Sequence, residues 1–197
     1  MIDKNTMFVW DGICESDDGG DMGYSVTWHG TVICTDNAPK GKDVPETKRN
    51  AFANFVASDL NFRVTGTAHP TDGNPRDGNK FKNMLIMFTG GDGWSYGGKW
   101  NKDSVHDVHV ESLNWRGSDD QRDALCFGSG KDSHGSFISV GWMRPGNRIT
   151  LARRYVSDER TGWSAKKVKE MILPQIQDPE DEETVTMPPW QCALMDA

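Results

Sequence analysis

The fold is written most plainly in residues 124–156, ALCFGSGKDSHGSFISVGWMRPGNRITLARRYV. Three short apolar runs alternate there with turn chemistry. Ala124 to Phe127 runs into Gly128-Ser129-Gly130, Ser136 to Met143 begins after Gly135, and Arg148 to Val156 follows Arg144-Pro145-Gly146-Asn147. Runs of this length between glycine and proline punctuation predict an antiparallel meander. In the second run Ile138, Val140 and Trp142 share one face, with Ser139 and Gly141 on the other; in the third, Ile149, Leu151 and Tyr155 alternate with Arg148, Thr150 and Arg154. Pro145 presets the second residue of a turn, and Gly146 accepts the positive dihedral that a type II turn needs at its third.

The same rhythm extends towards the start of the chain. Met7 to Cys14 and Tyr24 to Cys34 read as two strands around the acidic, glycine-rich loop Glu15 to Gly23, with Tyr24, Val26, Trp28, Gly30 and Val32 on one face of the second. Leu60 to Ala68, Asn83 to Thr89 and Val105 to Trp115 are further strands, and glycines around Trp94, Tyr96 and Trp100 mark a tight hairpin. Residues 35–59 form an insertion in which a short helix, with Ala51, Phe52, Phe55 and Val56 on one side, would cover a barrel mouth. The expected fold is all-β and mainly antiparallel: a single β-barrel or sandwich of about 8–9 strands, with one or two short helices and an extended C-terminal tail. The barrel domain spans residues 1–156. Residues 157–176 hold a short amphipathic helix, stopped by Pro174, and residues 177–197 an acidic linker and an apolar tail.

With 197 residues the chain is long enough for one domain with a substantial core. Its formal charge of -7, with acidic residues grouped at Glu15 to Asp21 and Asp178 to Glu183, opposes a phosphate backbone as partner. Lys166, Lys167 and Lys169 fit the wet face of a helix. Cys14, Cys34, Cys126 and Cys192 form no C-x-x-C pair, and neither a signal-peptide pattern nor an N-x-[ST] site is present. These features point to a soluble intracellular protein, of the cytoplasm or of an organelle interior after removal of a targeting peptide.

No motif for catalysis stands out. His106 and His109 lie three apart in a strand and therefore on opposite faces, whereas Asp107, His109 and Glu111 share one and suit either an ion or solvent. Gly128-Ser129-Gly130-Lys131 lacks the first glycine of a phosphate loop and is followed by Asp132 where Ser or Thr belongs. Neither an enzyme nor a metal or other cofactor is expected.

Two features remain as sites. Trp10, Trp28, Trp94, Trp100 and Trp142 either line a barrel that grips a small apolar or cyclic ligand or simply fill its core. Behind the acidic linker, Val185, Met187, Pro188, Pro189, Trp190, Leu194 and Met195 form an apolar segment. Left in water it costs about 25 cal/mol per Å² of apolar surface, so it seeks either its own barrel or a protein partner, including a second copy.

Trp28-His29-Gly30-Thr31, and Gly135-Ser136-Phe137 leading to Gly141-Trp142, resemble the Trp-x-Gly and Gly-x-Phe signatures of calycin-type barrel strands, the avidin and lipocalin group. The likeness runs over residues 7–156. It implies a closed barrel that binds without catalysis. The opening Gly-x-Trp of lipocalins has no counterpart, since Trp10-Asp11-Gly12 runs the other way, so the resemblance carries over the barrel and no binding residue.

Overall fold

The computed structural model describes residues 7–17, 23–35, 60–71, 81, 83–96, 99–115, 124–144, 146–156, 164–178 and 180–185. Aromatic and β-branched runs become β1 (Met7–Ser16), β2 (Tyr24–Thr35), β3 (Asn61–Pro70) and β4 (Met84–Tyr96). Next come β5 (Lys99–Asn101), β6 (Val105–Ser112) and β7 (Asn114–Trp115). The meander forms β8 (Ala124–Asp132), β9 (Gly135–Arg144) and β10 (Arg148–Tyr155). Eight of these close on themselves in the order β3-β2-β1-β10-β9-β8-β6-β4, with β4 returning to β3 and every pairing antiparallel. The result is an up-and-down barrel. Its last strand meets its first, with Trp10 opposite Leu151 and Phe8 opposite Arg153.

Turn chemistry behaves as the residues predict. Gly146 takes φ +78° in the β9–β10 turn, and Gly91 and Gly93 take φ +102° and +77° where the β3–β4 ladder shifts register. The expected β4–β5 hairpin pairs Trp94 with Asn101 and Ser95 with Trp100.

The barrel has two unlike sides. In β3, buried Phe62, Val64 and Ala68 alternate with exposed Asn61, Arg63 and Thr67, as in a strand with one wet face. In β8, β9 and β10 both faces are buried. The reason is α1 (Ala165–Ile176), whose Val168 and Ile172, one turn apart, sit in an outer apolar layer with Leu125, Phe127, Ile138, Val140, Trp142 and Ala152. Ser164 starts this helix, its hydroxyl accepting from the Lys167 amide at 3.3 Å.

Two expectations change. The helix runs through Pro174 to Ile176 instead of stopping at the proline. A proline there removes one hydrogen bond from the last turn, while the buried Val168 and Ile172 hold the turns before it. The stretch expected as a solvated linker contributes strands: β11 (Gln177–Asp178) pairs with β12 (Asp181–Val185), and β12 runs parallel to β7 with Thr184 opposite Asn114. The helix expected within 35–59 lies outside the described residues.

Close strand crossings depend on glycine at two facing positions, Gly12 and Gly30. A Cβ on Gly30 would overlap the Asp11 carbonyl of the neighbouring strand. Gly30→Ala is therefore expected to cost about 1–3 kcal/mol of stability, read as a lower urea midpoint with unchanged slope. An unchanged midpoint would show that β1 and β2 can separate at that crossing.

Candidate functional site

The barrel interior is filled by side chains. Trp10 packs against Trp28, Phe62 and Trp94 with ring centroids at 6.0, 4.7 and 5.2 Å, and Trp28 continues to Phe62 and Phe88 at 4.6 and 5.5 Å. Alternation in β1, β2, β3 and β4 delivers these rings inward from four adjacent strands. Trp10, Trp28 and Trp94 are each 0–1% exposed.

Beside the rings lies a buried polar cluster. The Arg153 guanidinium sits 4.1 Å from the Trp10 ring centre and 3.7 Å from that of Phe137, so it is held between two π faces. It donates two hydrogen bonds to Asp103, at 2.8 and 2.6 Å, in the bidentate geometry that suits guanidinium and carboxylate. His106 places Nε2 at 2.6 Å from the Ser139 hydroxyl and Nδ1 at 3.5 Å from Asp103, with an Arg153 nitrogen at 3.3 Å. Asp132 accepts from the His134 amide at 2.7 Å and from the Tyr155 hydroxyl.

Burial and charge set the protonation states. Burial alone would raise the Asp103 carboxyl, but the Arg153 charge and the hydrogen bonds from His106 and Arg153 outweigh it and hold it well below the usual carboxylate range. Burial drives the His106 pKa down, with the Arg153 charge adding and Asp103 opposing. Burial pushes the Tyr155 phenol up, so it stays protonated and donates to Asp132. The Asp103, His106 and Ser139 contacts follow the order of a hydrolytic triad, yet Ser139 is 0% exposed and the ring nitrogen facing Asp103 also meets a guanidinium. Chemically the cluster can clamp strands; an attacking serine needs a substrate at its oxygen.

The outside of the wall carries two hollows. One, of about 1010 Å³, runs over β2 and β3, between Glu15 near the end of β1 and Thr89 of β4, and is lined mainly by Ser25, Thr27, Thr31, Thr65 and Thr67, with His29, Asn61 and Arg63 around them. The other, of about 550 Å³, lies between α1 and strands β6 and β8 and includes Asp107, His109, Glu111, Phe127 and Lys169. There His109 stacks on Phe127 at 5.3 Å, and Lys169 pairs with Glu111. The shared face of Asp107, His109 and Glu111 is thus real, and His106 points the other way, into the barrel. Among the described residues no group of three or more ligating side chains could hold a metal ion.

The structure brings Trp10, Trp28 and Trp94 together and separates Trp142 from them. Trp142 faces outward in the layer beneath α1, because the expected face of Ile138, Val140 and Trp142 is the outer one and Ser139 and Gly141 face the interior. For Trp100 the described residues give only its strand position in β5. Val185 ends β12, and Met187, Pro188, Pro189, Trp190, Leu194 and Met195 lie outside the described residues. Cys14 and Cys126 are free and buried, and burial pushes the Cys14 thiol up to about 12, so both are packing residues rather than nucleophiles. Sequence reading passed over Arg153, Asp103 and Asp132. For Arg153 a signal existed: residue parity places it on the same face as Ile149, Leu151 and Tyr155.

Fold and interior together define a closed eight-stranded up-and-down barrel with a filled core and, among the described residues, one helix on its outer wall. No known protein family, no curated protein and no solved structure matches the chain. No helix among the described residues is long and apolar enough to cross a membrane.

Two outcomes are expected of the cluster. Arg153→Met strands a buried Asp103 carboxylate and is expected to cost about 3–5 kcal/mol in denaturant unfolding, whereas a loss under about 1 kcal/mol would mean the pair is dispensable. Unfolded His106 takes up a proton near its ordinary value of 6.5, while the folded form resists it, so stability is full above that pH and falls below it. Asp103 adds a second loss below its ordinary 3.8. His109, depressed but half-buried, contributes in the His106 window, so the comparison is made within one background: His106→Gln should flatten the pH 7 to 5 slope of the urea midpoint. An unchanged slope would place the proton uptake elsewhere.

Proposed function

We propose that this protein is a non-enzymatic interaction protein, a rigid calycin-like barrel that docks on itself or on a larger complex through its C-terminal segment. The observation that carries this reading is the filled interior. Where Trp10, Trp28, Trp94, Phe62 and Phe88 occupy the lumen, recognition moves to the outer wall and the tail. Strand addition already operates at the entrance to that tail, since β12 pairs through its backbone with β7 and ends at Val185. An apolar stretch containing Pro188 and Pro189 suits the same extended mode and not a helix. Sedimentation of the full chain beside a Trp190→Asp/Leu194→Asp variant tests this. A wild-type species heavier than one chain, collapsing to the monomer in the variant, is expected; equal masses would sink the docking role.

A second reading, a binder of a small cyclic ligand among the tryptophans, rests on one specific observation. The indole N–H groups of Trp10 and Trp28 are buried with no hydrogen-bond acceptor in reach, so a ligand bearing a carbonyl would meet waiting donors. Tryptophan fluorescence titrated with cyclic ureas and amides should then show a saturable change that Trp28→Phe abolishes. A flat response across that series would leave the indoles to packing alone.

A further inference from the structure

The outer trough over β2 and β3 lies on the face of the wall turned away from the lumen. We propose that it is a binding site for a neutral, polyhydroxylated ligand, an oligosaccharide. Its volume of about 1010 Å³ is at the upper end of what small-molecule sites use, about 300–1,000 Å³. Antiparallel register sets its polar groups in facing pairs: Ser25 opposite Thr67, Thr27 opposite Thr65, His29 opposite Arg63 and Thr31 opposite Asn61. Strand spacing puts the two columns about 4.8 Å apart, on the scale of a sugar ring. Each Ser or Thr hydroxyl both donates and accepts, which is the pattern a sugar hydroxyl presents in return.

Other ligand classes fit this lining poorly. Phosphate-bearing polymers would meet Glu15 and Asp17, and the one arginine there, Arg63, already pairs with Asp92 at 3.9 Å. Protein partners anchor on Trp, Tyr and Arg, whereas Ser and Thr are under-represented among such anchors. Apolar molecules would find no large apolar side chain there, since Val26 and Phe62, which border the trough, are each 3% exposed and turn into the barrel core. Glu15 and His29, paired at 3.4 Å and both more than two-fifths exposed, stand at the trough as a donor and acceptor that a sugar can recruit.

The test uses the full chain and three probes: maltotriose, N-acetylchitotriose and a galactose-based trisaccharide, followed by saturation-transfer NMR and amide shifts. At least one is expected to bind saturably with a dissociation constant of about 1 mM. Thr27→Val/Thr65→Val, which keeps the strand-forming shape and removes two hydroxyls, should weaken it about tenfold or more, and His29→Ala should also weaken it. Asp107→Asn, in the other hollow, should leave it unchanged. Failure of all three sugars to saturate, or equal binding by the threonine pair variant with an unchanged melting curve, would overturn the proposal. Neither outcome touches the tail reading, whose readout is mass.

Discussion

Closure of this barrel converges on one side chain. Arg153 stands on the last strand, opposite Phe8 of the first, and lays its guanidinium over Trp10 across the seam where the sheet meets itself. The same group touches Phe137 on β9, binds Asp103 ahead of β6 and lies 3.9 Å from Asp132 on β8. Four strands and a loop thus share one buried charge. Such an ion pair is weak evidence of net stability, because taking two charges out of water costs as much as their attraction returns. Its geometry, however, penalises every arrangement that leaves the guanidinium or the carboxylates unpaired. A one-residue slip of β10 would turn Arg153 outward and bring Arg154 or Ala152 inside. We therefore read the cluster as a register lock.

The outer face of the same seam is clamped as well. Asp11, buried in β1, accepts from Arg144 at 2.8 Å, from the Thr150 hydroxyl at 2.5 Å and from Arg148. Asp11 and Thr150 are register partners, so this contact too requires the observed alignment of first and last strands. Locking from both sides matters most here because β1 and β10 are the strands farthest apart in sequence that must pair, and loop closure there carries the largest entropic cost.

Much of the barrel was legible because its strands obey a period of two and its turns use glycine and proline where backbone geometry demands them. Val26, Trp28 and Val32, or Phe62 and Val64, announce their inward face without help. Legibility fails where both faces are apolar or where a charge is buried. In β9 the more hydrophobic face, Ile138, Val140 and Trp142, turns away from the lumen because α1 covers it; an isolated strand pattern cannot tell which of two buried faces is the inner one. Arg153 escaped notice for the complementary reason, since a charged residue at an inward position makes sense only once Asp103, some 50 residues earlier, is folded against it. The trough was invisible for a third reason. Its threonines read as ordinary solvated strand residues, and only register and curvature assemble them into a hollow.

Closing the sheet also decides how the molecule can meet others. Eight strands spend their backbone hydrogen bonds on each other, which removes the open edges that would otherwise recruit stray strands. Among the described residues, unshared edges remain on short elements outside the barrel: β5 at one end of the large sheet, and β7 and β11 flanking β12 in the small one. Backbone open to a further strand is thereby limited, among the described residues, to these short elements, while the wide β2–β3 face offers side chains. Docking by an added strand and recognition by side chains would therefore use different parts of the molecule.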